Sequence, residues 1–199
     1  MLTILTALGV LATPQDRPSS ATDAPCVAIV LPSVEGVENS TAVATSVRAL
    51  FLSYLTGPSL RSIALDARLS SQAAQEASQK QCTTLLTMSM TRKTGGNGKS
   101  KVATAAQAAG TAAGYIPGSG IAEIAAAGAA VSAQAIGSLA ASTRAKDEMR
   151  IEYRLTTVDG AQVMPPKSDS RKAQSNGEDI VTPLVERAAN AIAFVVTKK

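Results

Sequence analysis

The sequence contains no histidine and no tryptophan, and phenylalanine occurs only twice. Without histidine, the chain cannot build a Ser-His-Asp triad or a Cys-His pair, and it lacks the commonest zinc ligand. Cysteine also occurs only twice, at Cys26 and Cys82, in no pattern typical of a metal site. Aromatic residues make up 3% of the chain although 45% is hydrophobic, so alanine and valine supply much of the apolar content. We therefore predict no catalytic residues, no metal ligands and no cofactor.

Nucleotide and nucleic-acid binding are not indicated either. The formal net charge is a mild +4, and no long run of like charges occurs. Gly98-Lys99-Ser100 resembles the end of a phosphate-binding loop, but such a loop also needs glycine where this chain has Lys93. The motifs GxSxG and HExxH are absent. We predict no nucleic-acid partner and no small-molecule substrate, with nucleotide-dependent catalysis at Lys99 kept as the weakest alternative.

The chain begins with an apolar run at residues 2–12, which has the length of a signal-peptide core and ends in small residues suited to cleavage. A polar segment rich in proline and serine follows up to Pro25. No basic residue precedes the run, since the first is Arg17, so a short apolar strand or helix is the alternative. We predict a signal peptide and linker over residues 1–25 and export to the periplasm, with association to the outer membrane as an alternative.

Alternating apolar runs and amphipathic segments predict an α/β fold, with a mixed sheet and flanking helices in the order β-α-β-α-β, an insertion, then β-β-α. The α/β domain is predicted over residues 26–101 and 144–199. Its first three strands, near residues 26–34, 60–67 and 82–93, should be parallel. The last two should form a hairpin around Asp159-Gly160, with the return strand interrupted at Pro165-Pro166 and confined to an edge or a bulge.

Two helices have clear apolar faces, and a weak alanine-rich helix is predicted at residues 72–81. The first clear helix is capped by Asn39 or Ser40 and runs to Gly57. The second spans residues 178–196, with acidic residues at its start and lysines after its end. Their apolar faces, at helical spacing, consist of Val43, Val47, Leu50, Phe51, Tyr54 and Leu55 in the first, and Ile180, Val181, Leu184, Val185, Ala188, Ile192 and Val195 in the second.

The two cysteines each begin a predicted strand. If the first and third strands are neighbours in the sheet, Cys26 and Cys82 lie side by side at the same end of it. In an exported protein they can form a disulfide. Two buried free thiols are the alternative.

Residues 102–143 form an insertion composed mostly of alanine, glycine and serine, predicted as a helical hairpin. Gly110, Gly114 and Gly118 recur at every fourth position, so on a helix they share one face and let a second helix approach closely. The second leg, residues 121–142, would be about 33 Å long, which is close to the thickness of a bilayer.

Basic residues bracket this insertion and are predicted to contact lipid headgroups or a partner. Three roles for the insertion remain open: membrane contact, packing against its own domain or another subunit, and a mobile arm. The predicted contact residues are Arg92, Lys93, Lys99 and Lys101 before the insertion, and Arg144 and Lys146 after it.

Several segments resemble the curli-secretion channel family (CsgG) and its relatives, the TolB N-terminal domain and the LpoB-type activators of penicillin-binding proteins. The similar segments are VAIVLPSVEGVENS, TAVATSVRALFLSYLTG, CTTLLTMSMTRK, MRIEYRLTTVDGAQVM and DIVTPLVERAANAIAFVV. The resemblance implies a periplasmic, envelope-associated α/β domain without enzymatic activity, interrupted by an insertion after the third strand. Two features depart from the channel family: Asp23 to Cys26 does not form a lipobox, and the insertion lacks the alternation of a membrane strand.

Together these observations predict a non-enzymatic cell-envelope protein that acts in assembly, secretion or scaffolding. Its partner would be itself, as a homo-oligomer, or another protein, and the insertion would make glycine-mediated helix contacts. The alternative is a soluble periplasmic adaptor or activator of an envelope enzyme, with the insertion as a docking arm.

Overall fold

Residues 24–67, 69–95 and 134–198 are described by the computed structural model, and their strands pair into a six-stranded mixed sheet. The sheet order is β3-β1-β4-β5-β6, and β2 pairs with β4. The prediction of an α/β fold with a mixed sheet is therefore confirmed. The strands are β1 (Cys26–Ile29), β2 (Ser33–Glu35), β3 (Arg61–Ala64), β4 (Thr84–Lys93), β5 (Glu148–Thr157) and β6 (Gln162–Lys172).

The strand directions follow from the connections. Strand β1 lies between β3 and β4 and is parallel to both, as expected for strands joined through crossover helices. Strand β5 then lies between β4 and β6 and runs antiparallel to both. Strands β5 and β6 are joined by a tight turn in which Gly160 has a φ of 87°, a conformation that favours glycine. The predicted hairpin and the predicted parallel set are both present.

Helices cover both faces of the sheet unequally. Helices α1 and α4 pack side by side on one face, over the main core. Helix α2 lies on the other face near β1, where Ala73 and Ala77 are buried against Cys26, Ala28 and Leu85. The helices are α1 (Ser40–Leu55), α2 (Ser70–Gln79), α3, described over residues 134–142, and α4 (Val181–Thr197).

The main core is built by alternation in β4 and β5 and by the apolar stripes of α1 and α4. Side chains that alternate along a strand point to opposite faces, so every second residue of these strands meets the helices. The largest fully buried side chains facing this core are Ile29, Phe51, Leu55, Leu86, Met90, Met149, Ile151, Leu155, Met164, Ile180 and Leu184.

The opposite face of β4, β5 and β6 carries polar residues and is largely exposed. We call it the open sheet face. It contains Arg150, Glu152 and Arg154 on β5, which are exposed, and Thr87 and Ser89 on β4, which are half-buried. Arg150 and Glu152 form an exposed ion pair of 2.9 Å across this surface.

Three local predictions differ from the structure. Strand β1 ends at Ile29, and a separate short strand, β2, follows after Pro32, which has no N–H to continue the ladder. Strand β6 is not interrupted at Pro165 and Pro166 but runs through them. The prediction that these prolines lie at an edge or a bulge is confirmed, because β6 is an edge strand and its pairing with β5 shifts register there. Tyr54, predicted on the buried face of α1, is 41% exposed.

The end of the predicted insertion belongs to the core. Residues 134–142 form α3, and its Ile136 and Leu139 are buried in the same cluster as α1 and α4. Within the described residues, no helix combines the length and the apolar character needed to cross a bilayer. The remainder of the predicted helical hairpin lies outside the described residues.

Candidate functional site

The two ends of the insertion meet at one end of the sheet. Strand β4 ends at Lys93 and β5 begins at Glu148, and these two residues are opposite each other in the antiparallel register. The chain therefore leaves the sheet and returns to it between neighbouring strands. We call residues 92–95 and 142–147 the neck of the insertion.

The Asp147 carboxylate holds the neck together. Its Oδ2 accepts hydrogen bonds from Arg92 Nη2 at 2.6 Å and from the Arg144 N–H at 2.9 Å. Its Oδ1 accepts the N–H of Gly95 at 3.0 Å. Because Arg92 and Gly95 precede the insertion and Arg144 follows it, one carboxylate ties the outgoing and returning segments to each other.

Asp147 is charged at neutral pH although its side chain is only 4% exposed. Burial raises the pKa of a carboxyl group, but the hydrogen bonds from Arg144 N–H, the Arg92 guanidinium and Gly95 N–H outweigh burial here. The pKa of Asp147 consequently lies below its usual value of 3.8. The Asp147 carboxyl group paired with Arg92 is thus ionised at physiological pH.

Arg92 has a structural role in this neck. Besides Asp147, its guanidinium donates to the carbonyl oxygen of Ser142 at 2.6 Å and to Ser142 Oγ at 3.0 Å. Its side chain is 10% exposed. The prediction that Arg92 contacts headgroups or a partner is therefore corrected: a guanidinium held by these acceptors below the surface does not present its charge outwards.

A second set of hydrogen bonds ties the neck to the segment between β6 and α4. The Gly177 N–H donates to the Thr143 carbonyl at 2.9 Å, and the Ala145 N–H donates to Asn176 Oδ1 at 2.9 Å. Further along, the Lys146 N–H donates to the Ala173 carbonyl at 2.9 Å. The returning segment is therefore held by backbone bonds that do not depend on Arg92.

The segment that receives the neck is itself fixed by Glu178. Its Oε2 accepts the N–H groups of Gln174 at 2.6 Å and Ser175 at 3.3 Å, and its Oε1 accepts Arg171 Nη2 at 3.3 Å. The Gln174 N–H bond is the main cause that keeps the pKa of Glu178 below its usual value. Asp179 Oδ1 then accepts the N–H groups of Val181 and Thr182, which caps the start of α4.

Two backbone positions show how closely the neck is packed. The Cα of Gly95 lies so near the Lys146 carbonyl that an added Cβ would overlap it. Lys146 has a φ of 75°, in the left-handed region that side chains other than glycine and asparagine seldom adopt. Both are features of a joint whose two chains are in direct contact.

The other predicted contact residues divide into two groups. Lys93, Arg144 and Lys146 are exposed around the neck. Lys99 and Lys101, and the three glycines Gly110, Gly114 and Gly118, lie outside the described residues, so their predicted roles stay predictions.

Cys26 and Cys82 are joined by a disulfide, with their Cα atoms 4.9 Å apart. Both side chains are buried, beneath α2. The bond links the start of β1 to the residue just before β4, two strands that pair directly. The juxtaposition follows from the pairing of β1 with β4. The sequence predicts that these strands are parallel but leaves open whether they are neighbours.

The sequence could not identify Asp147 as a neck residue. Asp147, Glu148 and Glu152 look alike in sequence, as carboxylates around the start of an alternating strand. Burial of Asp147 depends on Arg92 and Gly95, from the other side of the insertion. The one local signal was its position just before the alternation of β5 begins. Across the described ranges, no three His, Cys, Asp or Glu side chains are grouped closely enough to hold a metal ion.

No protein-family profile matches the sequence, and no curated protein matches it with significance. Among solved structures, the fold is similar to the PelC dodecamer from Paraburkholderia phytofirmans, at 11% identity and a TM-score of 0.45, covering 90% of this chain and 91% of that chain. A point variant of the same PelC gives 12% identity and a TM-score of 0.47, covering 90% of this chain and 93% of that one. A homolog of the neuraminyllactose-binding hemagglutinin from Helicobacter pylori gives 6% identity and a TM-score of 0.37, covering 94% and 88%. These values are too low to carry an argument about function, and the resemblance to the curli-channel family stays a prediction.

Proposed function

We propose that this protein is a non-enzymatic component of the cell envelope that acts as a scaffold, with the α/β unit as a rigid mount for the insertion. The observation that carries the proposal is the neck, where Asp147 binds groups from both ends of the insertion. A loop that merely extends the surface needs no such joint. A joint of this kind transmits force and orientation from the insertion to the sheet.

Occupation of both Asp147 oxygens by donors of the neck supports a mechanical role for this carboxylate rather than a chemical one. Both oxygens of Asp147 are occupied by donors from the protein. The Nη1 and Nη2 groups of Arg92 donate to Ser142 and Asp147, whereas its buried Nε has no partner among the described residues. A catalytic carboxylate needs a free oxygen and a pKa near the working pH, and the pKa of Asp147 is shifted the other way.

The disulfide supports an exported location. Structural disulfides form and persist in oxidising compartments such as the periplasm and are rare in the cytosol. The Cα atoms of Cys26 and Cys82 are 4.9 Å apart, within the range that a disulfide spans, because β1 pairs with β4. The apolar run at residues 2–12 is consistent with the same location.

Self-association is the proposed mode of assembly. Its support is the spacing of Gly110, Gly114 and Gly118, which suits close contact between helices of neighbouring copies. The neck would fix the orientation of the insertion relative to the α/β unit. Contacts between insertions would then hold neighbouring α/β units in one relative orientation.

The second candidate is a soluble adaptor or activator of an envelope enzyme, with the insertion as its docking arm. The open sheet face favours it, because this surface offers a partner a broad polar area that does not involve the insertion. Arg150, Glu152 and Arg154 would be the charged contacts there. In this case the protein would remain soluble and monomeric on its own.

The test compares full-length protein with a variant in which residues 102–131 are replaced by a Gly-Ser linker. The replacement must stop before α3, because Ile136 and Leu139 are part of the core. Envelope fractionation with a carbonate wash and mass measurement by light scattering are applied to both. The proposal expects oligomers that remain with the membrane fraction for the full chain and monomers for the linker variant.

A matched variant sharpens the result. Replacing Gly110, Gly114 and Gly118 by leucine keeps the length and apolar character of the insertion but blocks close helix approach. Loss of oligomers in this variant supports glycine-mediated assembly. Oligomers that persist in both variants would overturn the role of the insertion, and a monomeric full-length protein would favour the adaptor.

A further inference from the structure

Four basic side chains surround the neck and are exposed: Lys93, Arg144, Lys146 and Lys172. We call them the basic rim. Three of them bracket the insertion in sequence, whereas Lys172 lies at the end of β6 and could not be connected with the insertion from the sequence. Within the described part of the chain, no carboxylate lies within ion-pair distance of any of the four.

The strand register brings the rim together. Lys93 on β4 is opposite Glu148 on β5, and Glu148 is opposite Lys172 on β6. The three side chains therefore lie in one cross-strand row on the open sheet face, and the two lysine Cα atoms are about 10 Å apart from the spacing of strands. The backbone of Lys146 lies beside the end of this row, because its N–H donates to the carbonyl of Ala173, the residue after Lys172.

The positive charge of the rim is not cancelled by its surroundings. Glu148 is the carboxylate within the row, and it is half-buried between two lysines. Two neighbouring carboxylates are already engaged, Asp147 with Arg92 and Glu178 with Arg171, whereas Glu35 on β2 is exposed beside Thr91 in the next row. The next row on the sheet contains Arg150, which is paired with Glu152. An excess of positive charge therefore remains where the insertion leaves the sheet.

The lysine side chain at position 146 is not needed for the structure of the neck. It has a φ of 75°, and a left-handed conformation of this kind is ordinarily supplied by glycine or asparagine. Its backbone serves the neck, through the N–H bond to Ala173 and the contact of its carbonyl with Gly95. A glycine would serve the backbone equally well, so the neck itself does not require the lysine side chain.

We propose that the basic rim binds the phosphate groups of an anionic lipid bilayer and seats the α/β unit on the membrane surface at the neck. The proposal rests on the proposed function, in that the protein acts in the cell envelope. An anionic membrane fits this surface because clustered lysine and arginine side chains attract anionic lipid headgroups.

The test measures co-sedimentation of the full chain with vesicles of phosphatidylcholine alone and with about one third phosphatidylglycerol. Binding is expected only to the anionic vesicles, and it should weaken as salt rises. The double variant Lys93→Gln/Lys172→Gln should bind about 25-fold more weakly, from roughly fivefold for each charge removed. Inorganic phosphate up to the lipid concentration should not compete, which separates a bilayer surface from a site for free phosphate.

The matched control is Lys167→Gln/Lys198→Gln, which removes the same charge elsewhere. Lys167 is exposed on β6 beyond the row, and Lys198 follows α4, whose start lies beside the neck and whose length is about 25 Å. The control should bind anionic vesicles within about twofold of the wild type. Equal losses in the rim variant and the control would overturn the site and indicate a net-charge effect.

Lys146→Gly separates charge from structure. It relieves the left-handed backbone and keeps the neck bonds, so the resistance of the protein to unfolding should be unchanged or greater. Vesicle binding should fall about fivefold all the same. A variant that binds like the wild type, or whose binding and stability fall together, would overturn the role assigned to this side chain.

Failure of this proposal is distinguishable from failure of the proposed function. The linker variant of residues 102–131 keeps all four rim residues, so it should still bind anionic vesicles even as a monomer. Oligomers that form normally while rim variants and wild type bind vesicles equally would refute the rim and leave the scaffold intact. Full-length protein that ignores anionic vesicles but binds an acidic protein would likewise refute the lipid assignment.

Discussion

At the scale of single residues, Asp147 illustrates how a buried charge acts as a connector. Its two oxygens satisfy donors from Arg92, Gly95 and Arg144, which lie far apart in sequence. Removing one partner of a buried ion pair leaves the other charge without compensation, which costs more than the pair itself contributes. Predictions at this scale therefore concern the stability of the neck.

Asp147→Asn should lower the free energy of unfolding by about 3 kcal/mol, because Arg92 is left buried opposite a neutral amide. Urea denaturation followed by circular dichroism measures the change. Glu152→Gln is the matched control, since it breaks the exposed pair with Arg150 and should cost less than about 0.5 kcal/mol. Similar small losses in both variants would mean that the neck contributes little to stability.

Acid should weaken the fold through a second carboxylate, Glu76 on α2. The Lys80 ammonium group and the N–H groups of Ala67 and Asp66 lower the pKa of Glu76 from 4.5 to about 2. A carboxyl group whose pKa is depressed by folding stabilises the protein above its unfolded value, and this contribution is lost as the pH falls through the folded value. The urea midpoint should thus fall between pH 4.5 and pH 2, and less steeply in Glu76→Gln. Identical pH profiles would contradict the assignment.

At the scale of elements, β6 shows how an edge strand is protected from pairing with other chains. It is the longest strand and lies at one edge of the sheet. Pro165 and Pro166 have no N–H group to donate, and Lys167 and Lys172 place positive charge on the strand. Proline and lysine on an edge both discourage addition of a further strand.

Replacing both prolines, as Pro165→Thr/Pro166→Thr, should promote association through the edge of β6. The new N–H groups and the β-propensity of threonine make the strand a better template for pairing. Sedimentation velocity would detect dimers or larger species in the linker variant, which is otherwise expected to be monomeric. Ser168→Thr/Ser170→Thr is the control, because it raises β-propensity without adding donors, and its association in the same assay would point to propensity alone.

At the scale of the whole molecule, the disulfide closes a long loop within the sheet. Cys26 and Cys82 are separated by 56 positions. In the chain-entropy treatment, closing a loop of that length raises the free energy of the unfolded chain by about 4 kcal/mol. The bond also fastens β1, through which the segment at residues 1–25 joins the sheet. The disulfide therefore keeps β1 attached to β4, whether or not residues 1–25 are cleaved.

Protein purified from the periplasm and unfolded without reductant should not react with iodoacetamide at either cysteine. After reduction, both should react, and the free energy of unfolding should be lower by up to about 4 kcal/mol. Cys82→Ala should show the same loss without reductant. Free thiols in the purified protein would favour the alternative of two buried reduced cysteines and would weaken the case for export.

The sequence predicted this architecture well where a pattern repeats along one segment. The apolar stripes of α1 and α4 and the alternation of β5 are periodic patterns within one segment, and Asp159-Gly160 is a local turn signal. The structure has the helices, the strand and the turn that these signals predict. It failed where the outcome depends on distant segments. The short strand β2 exists because β4 is long enough to pair with it beyond β1, and Lys172 joins the basic rim only through the register of three strands.

The neck has a consequence for how this chain can change over time. Because the Gly95 N–H is bonded to Asp147, the two points between which the insertion runs are joined independently of whatever lies between them. The entropy of closing a loop grows only slowly with its length, so lengthening or shortening the intervening chain costs the sheet little. The α/β unit can thus accept segments of very different size and composition between Gly95 and α3, while the packing of α3 in the core and the folding of the sheet remain the same.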